Sequence, residues 1–177
     1  MITLFIGSPR KNGNTHAMAR ALFDNLKQAD LDVQTVHLYD HEIKPCIDCR
    51  ACKKGDLVCV LKDDMATLYA ALEASDIIVI GTPIYWFGPT AQTKAFLDRL
   101  RPYFANKKLT GKKAALLMPA GSGAGDCDLC EAMFRRSFAA LGIDFLGAIT
   151  AEAYDVGDAE TDQAVMSDIK KLGARLI

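Results

Sequence analysis

Several features that would assign this chain of 177 residues to a class of function are missing from it. No apolar run approaches the roughly 20 residues that a membrane-spanning helix needs. The apolar start, residues 1–7, follows no positive segment and is too short for the apolar core of a signal peptide. Lysine and arginine number 21 against 22 aspartates and glutamates, without a dense basic run. We therefore expect a cytoplasmic protein that has neither a membrane nor nucleic acid as its partner.

Common nucleotide-binding signatures are missing as well. The segment GSPRKNGNT, residues 7–15, follows the first apolar run and leads into a helical pattern. It has neither the G-x-G-x-x-G pattern of dinucleotide-binding folds nor the Gly-Lys-Ser/Thr ending of a P-loop. It also lacks the cysteine nucleophile that a phosphatase of similar architecture would need. A tightly held NAD, hydrolysis of a nucleoside triphosphate and phosphatase chemistry are thus all disfavoured.

What the sequence does contain is a regular alternation of short apolar runs and helical patterns, with half of its residues apolar. The alternation indicates βαβ units and a parallel sheet within one domain, residues 1–177. The predicted strands are 2–7, 32–38, 76–81, 113–118 and 143–149, and the predicted helices are 15–29, 64–74, 90–104, 126–141 and 160–176. The fold class is therefore α/β, a five-stranded parallel sheet with helices on both faces.

The order of the strands follows from their composition, since strands buried on both faces are continuously apolar and edge strands tolerate polar residues. Residues 77–80 and 114–118 are continuously apolar, which places these two strands centrally. Residues 33–38 alternate, and the fifth strand contains Asp144 and Gly147, so both are predicted edges. This favours the order 2-1-3-4-5 with right-handed crossovers, in which ligands bind beyond the carboxyl ends of the strands.

The loop after the first strand has the composition of an anion site. Glycines and hydroxyls at a strand-to-helix turn let backbone N–H groups and the helix N-terminus surround an anion, and Arg10 adds positive charge. The alternative is that Ser8, Asn14 and Thr15 merely turn the chain and cap the helix. We favour a bound phosphate.

Two further loops reach the same edge of the predicted sheet. After strand 3, three consecutive aromatic residues, Tyr85 to Phe87, lie in a loop that is too short to bury them all. They are suited to packing against a flat ligand, while backbone groups near Pro83 to Phe87 bond its polar edge. The alternative is an exposed or dimer-forming aromatic patch. After strand 4, residues 119–126 are rich in glycine, which permits close backbone approach.

Three separated segments, in this order, resemble the NADPH-dependent FMN reductase family, and most closely its iron-sulfur flavoprotein branch. They are residues 7–15, residues 83–88 with KAFLDR at 94–99, and the cysteine-rich stretch 46–59 followed by DDM at 63–65. The resemblance implies a flavodoxin-like three-layer sandwich that binds FMN and uses NAD(P)H. It also implies a homodimer or homotetramer with the flavin close to a subunit interface.

The same resemblance implies the residues that hold the flavin. The FMN phosphate is expected at Ser8, Arg10, Asn14 and Thr15, and the isoalloxazine ring at Pro83, Ile84, Tyr85, Trp86, Phe87, Gly121, Ser122 and Gly123.

Four of the six cysteines crowd into one loop, residues 40–63, at Cys46, Cys49, Cys52 and Cys59. In a reducing compartment such a cluster indicates metal or redox chemistry first. Three thiols at two-residue gaps and a fourth further on suit the corners of a [4Fe-4S] cluster, and the pattern resembles the compact cysteine motif of the iron-sulfur flavoproteins. Zinc, whose sites usually pair two C-x-x-C units across a longer gap, and free thiols stay open alternatives.

A second C-x-x-C, Cys127 and Cys130, begins the fourth predicted helix. These cysteines share a face with Phe134 and Phe138, which predicts small buried hydrophobes rather than a redox pair. The three histidines have no evident partner in the sequence and receive no catalytic role: His16, His37 and His41.

Hydride transfer to a flavin requires stacking and electronic tuning of the ring rather than a protein nucleophile or base, so no catalytic residue is predicted. The expected function is an oxidoreductase that passes electrons from NAD(P)H, or a reduced protein donor, to a flavin, quinone or similar acceptor. The alternatives are a non-enzymatic electron carrier of the flavodoxin or iron-sulfur flavoprotein type, and a binding protein without redox activity.

Overall fold

A parallel five-stranded sheet in the order β2-β1-β3-β4-β5 forms the centre of the computed structural model, which describes residues 1–176. The strands are β1 (Ile2–Ile6), β2 (Val33–His37), β3 (Ile77–Gly81), β4 (Lys113–Ala120) and β5 (Asp144–Glu152). The predicted order and the predicted edge strands are confirmed, and β1, β3 and most of β4 are buried.

Helices cover both faces of the sheet. Within residues 1–176 they are α1 (Asn14–Gln28), α2 (Met65–Ala74), α3 (Ala91–Asp98), α4 (Arg101–Asn106), α5 (Asp128–Leu141), α6 (Asp158–Thr161) and α7 (Gln163–Leu176). Helices α1, α6 and α7 pack on one face, and α2 to α5 pack on the other. None of the helices in this part of the chain is long and apolar enough to cross a bilayer.

The two apolar layers follow from the alternation of side chains along β1. Leu4 points to the layer that contains Met18 and Leu22 of α1, whereas Phe5 points to the opposite layer and stacks on Phe96 of α3 with ring centroids 5.1 Å apart. A strand buried on both faces therefore has no polar face, which explains the continuous apolar run in the sequence.

Four of the predicted elements differ clearly from the structure. The predicted helix 90–104 is two helices, α3 and α4, because Pro102 at the start of α4 disfavours a continuous helical backbone. The predicted helix 160–176 is likewise divided, into α6 and α7, and the predicted helix 126–141 begins at Asp128 after a 3-10 turn. Strand β5 extends to Glu152, beyond the predicted end at residue 149. The residues that follow it therefore begin at the carboxyl ends of the strands.

Candidate functional site

A cavity of about 170 Å³ lies beyond the carboxyl ends of β1, β3, β4 and β5. Larger grooves lie elsewhere on the molecule, but this cavity joins the loops that the sequence singled out and adjoins the α1 N-terminus. It is lined by Ser8, Arg10, Gly13, Asn14, Thr15, Pro83, Ile84, Tyr85, Pro119, Gly121, Ala153, Tyr154 and Val156.

Hydrogen bonds of the Gly7 backbone connect the loop after β1 to β3 and to the start of α3. The Gly7 N–H donates to the Gly81 carbonyl at 2.7 Å, and the Gly7 carbonyl accepts from the Thr90 hydroxyl at 2.6 Å. A Cβ atom at Gly7 would lie 1.7 Å from the Thr93 hydroxyl oxygen, so a larger residue cannot fit there without rearrangement. These bonds fix the start of the loop against β3 and α3.

The N-terminus of α1 offers free donors to an anion. Its N-cap residue is Gly13, no side chain caps it, and its first turn has no acidic residue. The Ser8 hydroxyl instead accepts from the Arg10 N–H at 3.2 Å, which shapes the loop. Of the alternative stated above, helix capping by these side chains is therefore wrong, whereas Ser8 does stabilise the turn of the chain. The first N–H groups of the helix stay available to a ligand.

Asn14, a predicted phosphate ligand, has its side chain engaged elsewhere. Its Nδ2 donates to the Asp155 carbonyl at 2.8 Å, and its Oδ1 accepts from the N–H groups of Gly157 and Ala159 at 3.1 and 3.3 Å. The side chain thus connects the start of α1 to the loop between β5 and α6. The backbone N–H of Asn14 is one of the first N–H groups of the uncapped helix.

The aromatic loop after β3 is a tight hairpin. Tyr85 and Gly88 exchange backbone hydrogen bonds of 2.8 and 3.2 Å, and both central residues, Trp86 and Phe87, have positive φ angles, 50° and 62°. This matches a type I′ turn, whose central positions normally hold Asn and Gly. Trp86 is 94% exposed and does not line the cavity, whereas Tyr85 lines it and is 48% exposed.

The loop after β4 contributes one residue of its predicted set to the cavity. Gly121 lies against the Tyr154 ring, since a Cβ there would approach the ring carbon Cδ2 to 3.1 Å. Gly123 has a φ of 98° and faces Glu152 instead. Ser122 and Gly123 do not line the cavity in the part of the chain that the structure describes.

The structure brings together Ser8, Arg10, Asn14, Thr15, Pro83, Ile84, Tyr85 and Gly121 of the predicted residues, and leaves Trp86, Phe87, Ser122 and Gly123 outside the lining. The residues that sequence reasoning missed are Gly13, Pro119, Ala153, Tyr154 and Val156. Two of them, Ala153 and Tyr154, directly follow β5. The carboxyl ends of parallel strands meet at one edge of the sheet, where ligands bind. This rule would have identified both residues if the predicted fifth strand had extended to Glu152.

No residue of the cysteine-rich loop lines the cavity in the part of the chain that the structure describes, and the loop is closed at its base by Arg99 and Asp63. Arg99 donates to the Lys44 carbonyl at 2.7 Å and to both carboxylate oxygens of Asp63. Cys52 is buried, Cys49 is exposed, and Cys46 and Cys59 are intermediate. Burial, followed by the neighbouring Cys59 thiol, raises the pKa of Cys52.

Beyond the effect of burial, Cys59, Cys46 and Cys49 all lie near enough to Cys52 to raise its pKa, but the four thiols do not form a metal site in this arrangement. Among residues 1–176, no group of three or more His, Cys, Asp or Glu side chains could hold a metal ion. In this arrangement the loop does not fit a [4Fe-4S] cluster, which needs its thiolates gathered around one cubane. The assignment of Cys46, Cys49, Cys52 and Cys59 as ligands stays a prediction.

The remaining cysteines and two of the histidines occupy defined positions. Cys127 and Cys130 are each 1% exposed, and burial raises their pKa values to about 11 and about 12, as expected for small buried hydrophobes. His16 and His37, which showed no partner in the sequence, stack on each other with ring centroids 5.3 Å apart.

Known proteins resemble this chain over most of its length. The family model of the NADPH-dependent FMN reductases matches residues 1–155. An iron-sulfur flavoprotein of Archaeoglobus fulgidus is 31% identical over 97% of this chain and 76% of its own length. A Bacillus subtilis protein named as an NAD(P)H-dependent FMN-containing oxidoreductase is 27% identical over 97% of this chain and 95% of its own length. The chain spans 54% and 65% of two further curated iron-sulfur flavoproteins that it matches.

Solved structures agree on the fold. An NAD(P)H:quinone oxidoreductase from Methanothermobacter marburgensis superimposes with a TM-score of 0.77 at 13% identity, over 99% of this chain and 98% of that one. At this level of identity, the likeness shows the flavodoxin-like fold alone.

Proposed function

Because the chain belongs to the NADPH-dependent FMN reductase family, we propose that it binds FMN in the cavity at the strand ends and works as an oxidoreductase. Its electrons would come from NAD(P)H or a reduced protein donor and pass to a flavin, quinone or similar acceptor. The proposal rests on the family, on the cavity and on the chemistry of the residues that line it.

The observation that carries the proposal is the uncapped N-terminus of α1 within the cavity. Gly13 leaves the first N–H groups of the helix without a side-chain cap, and Arg10 lines the same cavity. Helix N-termini and guanidinium groups are the donors that a phosphate prefers. The residues present therefore fit the phosphate end of FMN, with Ser8 and Thr15 beside it.

The remaining lining suits the ring end of the cofactor. Ile84, Tyr85 and Tyr154 supply apolar and aromatic surface, and Gly121 lets the backbone approach closely. The Pro119 carbonyl accepts from the Ile84 N–H at 3.2 Å, which ties the loops after β3 and β4 together. These two loops therefore form one continuous wall for a flat ligand.

Bound FMN would supply the hydride and single-electron chemistry. The protein's own contribution is to bind the phosphate through α1 and Arg10, and to orient the ring with backbone and aromatic groups. Trp86 and Phe87, at the tip of the aromatic hairpin, are exposed and lie outside the lining, so they are available to a substrate or to a second subunit. We expect a homo-oligomer with this hairpin near its interface.

The experiment that tests the proposal is an anaerobic purification followed by steady-state oxidation of NAD(P)H with added flavin or quinone. We expect yellow protein that oxidises NAD(P)H continuously. Yellow protein that shows almost no turnover would indicate an electron carrier, and protein that does not take up FMN in excess would overturn the proposal. An Arg10→Ala variant should bind FMN more weakly while its affinity for riboflavin, which has no phosphate, stays unchanged.

A further inference from the structure

The side chain of Asn14 is connected to the loop between β5 and α6 by three hydrogen bonds. One joins its Nδ2 to the Asp155 carbonyl, and two join its Oδ1 to the N–H groups of Gly157 and Ala159. Within residues 1–176, the other polar contact between α1 and this region is an exposed ion pair between Arg20 and Glu160, 2.9 Å long, and such exposed pairs contribute little. Asn14 is therefore the main polar link between the two segments.

The same loop carries Tyr154. The Asp158 carboxylate accepts from the N–H groups of Tyr154 and Asp155 at 2.9 and 2.7 Å, and Ala159 is fully buried, which fixes the turn on the protein. Because Asn14 bonds to Asp155, it holds the residue next to Tyr154. The position of the tyrosine therefore depends on the asparagine.

The Tyr154 ring borders the cavity but is not part of the core. It is 80% exposed, and its Cδ2 edge lies against Gly121. A large aromatic side chain that is held beside a cavity and left uncovered by the protein is suited to contact a flat ligand.

We infer that Tyr154 is a contact of the flavin ring and that Asn14 is a positioning residue for Tyr154, rather than a ligand of the phosphate through its side chain. This inference rests on the proposed function, since it concerns the residues that hold FMN in the same cavity. It assigns a role to the loop after β5, which the sequence motifs did not include.

The test is a double-mutant cycle on FMN affinity with wild-type protein, Asn14→Ala, Tyr154→Ala and the double variant. Each single change should weaken FMN binding about tenfold, the scale of one or two lost hydrogen bonds or a lost ring contact. The double variant should bind no more than about threefold more weakly than Tyr154→Ala, because Asn14 acts through the tyrosine. The matched control is Asn25→Ala, the same change on α1 at a side chain that makes no hydrogen bond within residues 1–176.

A second measurement separates positioning from general destabilisation. Tyrosine in contact with the ring should quench flavin fluorescence, so the FMN-saturated Asn14→Ala and Tyr154→Ala proteins should both fluoresce more than wild type. A weakened fold alone would change the amount bound but not the fluorescence of the saturated complex. The Asn25→Ala complex should resemble wild type.

The outcomes distinguish the two proposals. If the wild type does not bind FMN, the proposed function fails. If the wild type binds FMN but the two losses multiply to about a hundredfold in the double variant, Asn14 acts independently of Tyr154 and only the present inference fails. Unchanged fluorescence in both saturated variants would also overturn it.

Discussion

Arg99 and Asp63 form a buried ion pair that joins the two ends of the cysteine-rich loop. The side chains are 1% and 0% exposed, and a second contact between Arg99 Nη2 and Asp63 Oδ1 measures 3.1 Å. Asp63 also accepts from the N–H groups of Lys44 and Met65 at 2.9 and 3.1 Å. Burial opposes its charge, but the hydrogen bonds from Arg99 and these N–H groups lower the pKa of Asp63. The loop between Lys44 and Asp63 is thus closed by the Arg99–Asp63 ion pair and the hydrogen bonds that both side chains make to Lys44.

Removing the guanidinium should destabilise the fold strongly. In Arg99→Met the Asp63 carboxylate would be buried without its ionic partner, and such changes cost about 3–5 kcal/mol. Urea unfolding at neutral pH should report this loss. The loop between Lys44 and Asp63 should also exchange its amide hydrogens faster in the variant, because its base is no longer closed.

The matched control is Lys94→Met, four residues before Asp98 on α3. Lys94 and Asp98 form an exposed pair 2.7 Å long, and such pairs contribute less than about 0.5 kcal/mol. If Arg99→Met unfolds at the same urea concentration as Lys94→Met, the buried pair does not have the role assigned to it.

The stacked histidines should make stability fall in mild acid. Burial, and then the charges of Arg20 and Lys11, lower the pKa of His16. Burial, His16 and Lys11 lower the pKa of His37, against an opposing effect of Asp40. The unfolded chain therefore binds protons at a higher pH than the folded protein, so stability is full above the ordinary histidine pKa of about 6.5 and falls as the pH drops below it.

Urea midpoints at about pH 7.5 and about pH 5.5 should show this decline in the wild type. The decline should be smaller in a His16→Gln, His37→Gln double variant. His41→Gln, which leaves the stacked pair intact, is the control. Equal declines in wild type and double variant would show that other groups are responsible.

The aromatic hairpin should be more stable with the residues that its backbone prefers. Trp86 and Phe87 both adopt left-handed backbone angles, and a bulky residue in this region costs about 1–3 kcal/mol. Replacing the pair by Asn-Gly should remove this strain within the subunit, because Asn-Gly suits a type I′ turn, so the melting temperature should rise in dilute protein that is monomeric. A lower melting temperature of the monomer would contradict this prediction. At concentrations at which the wild type is an oligomer, a smaller molecular mass of the variant would show that the two rings contribute to the expected subunit interface.

The sequence predicted the sheet well because its signals are local. Continuous apolar runs identified the central strands, and the loops after β1, β3 and β4 identified most of the cavity. It could not predict the partner of Asn14, because the residues that its side chain bonds lie more than 140 positions away in the chain. No sequence pattern predicted the positive φ angles of Trp86 and Phe87, because bulky residues rarely adopt them.

The order in which the thiols of the cysteine-rich loop are alkylated should follow from their burial. In metal-free protein, Cys49 is exposed and should be alkylated first, whereas Cys52 is buried with a raised pKa and should be the slowest of the four. Cys127 and Cys130 should react only on unfolding, since burial raises their pKa values to about 11 and about 12. Quantitative mass spectrometry after short iodoacetamide pulses measures this order, and equal rates for Cys49 and Cys52 would contradict it. After anaerobic reconstitution with iron and sulfide, joint protection of all four loop thiols would require them to move together from the positions described here. A Cys49→Ser variant should then lose iron while keeping FMN, because none of the loop cysteines lines the cavity proposed for the flavin.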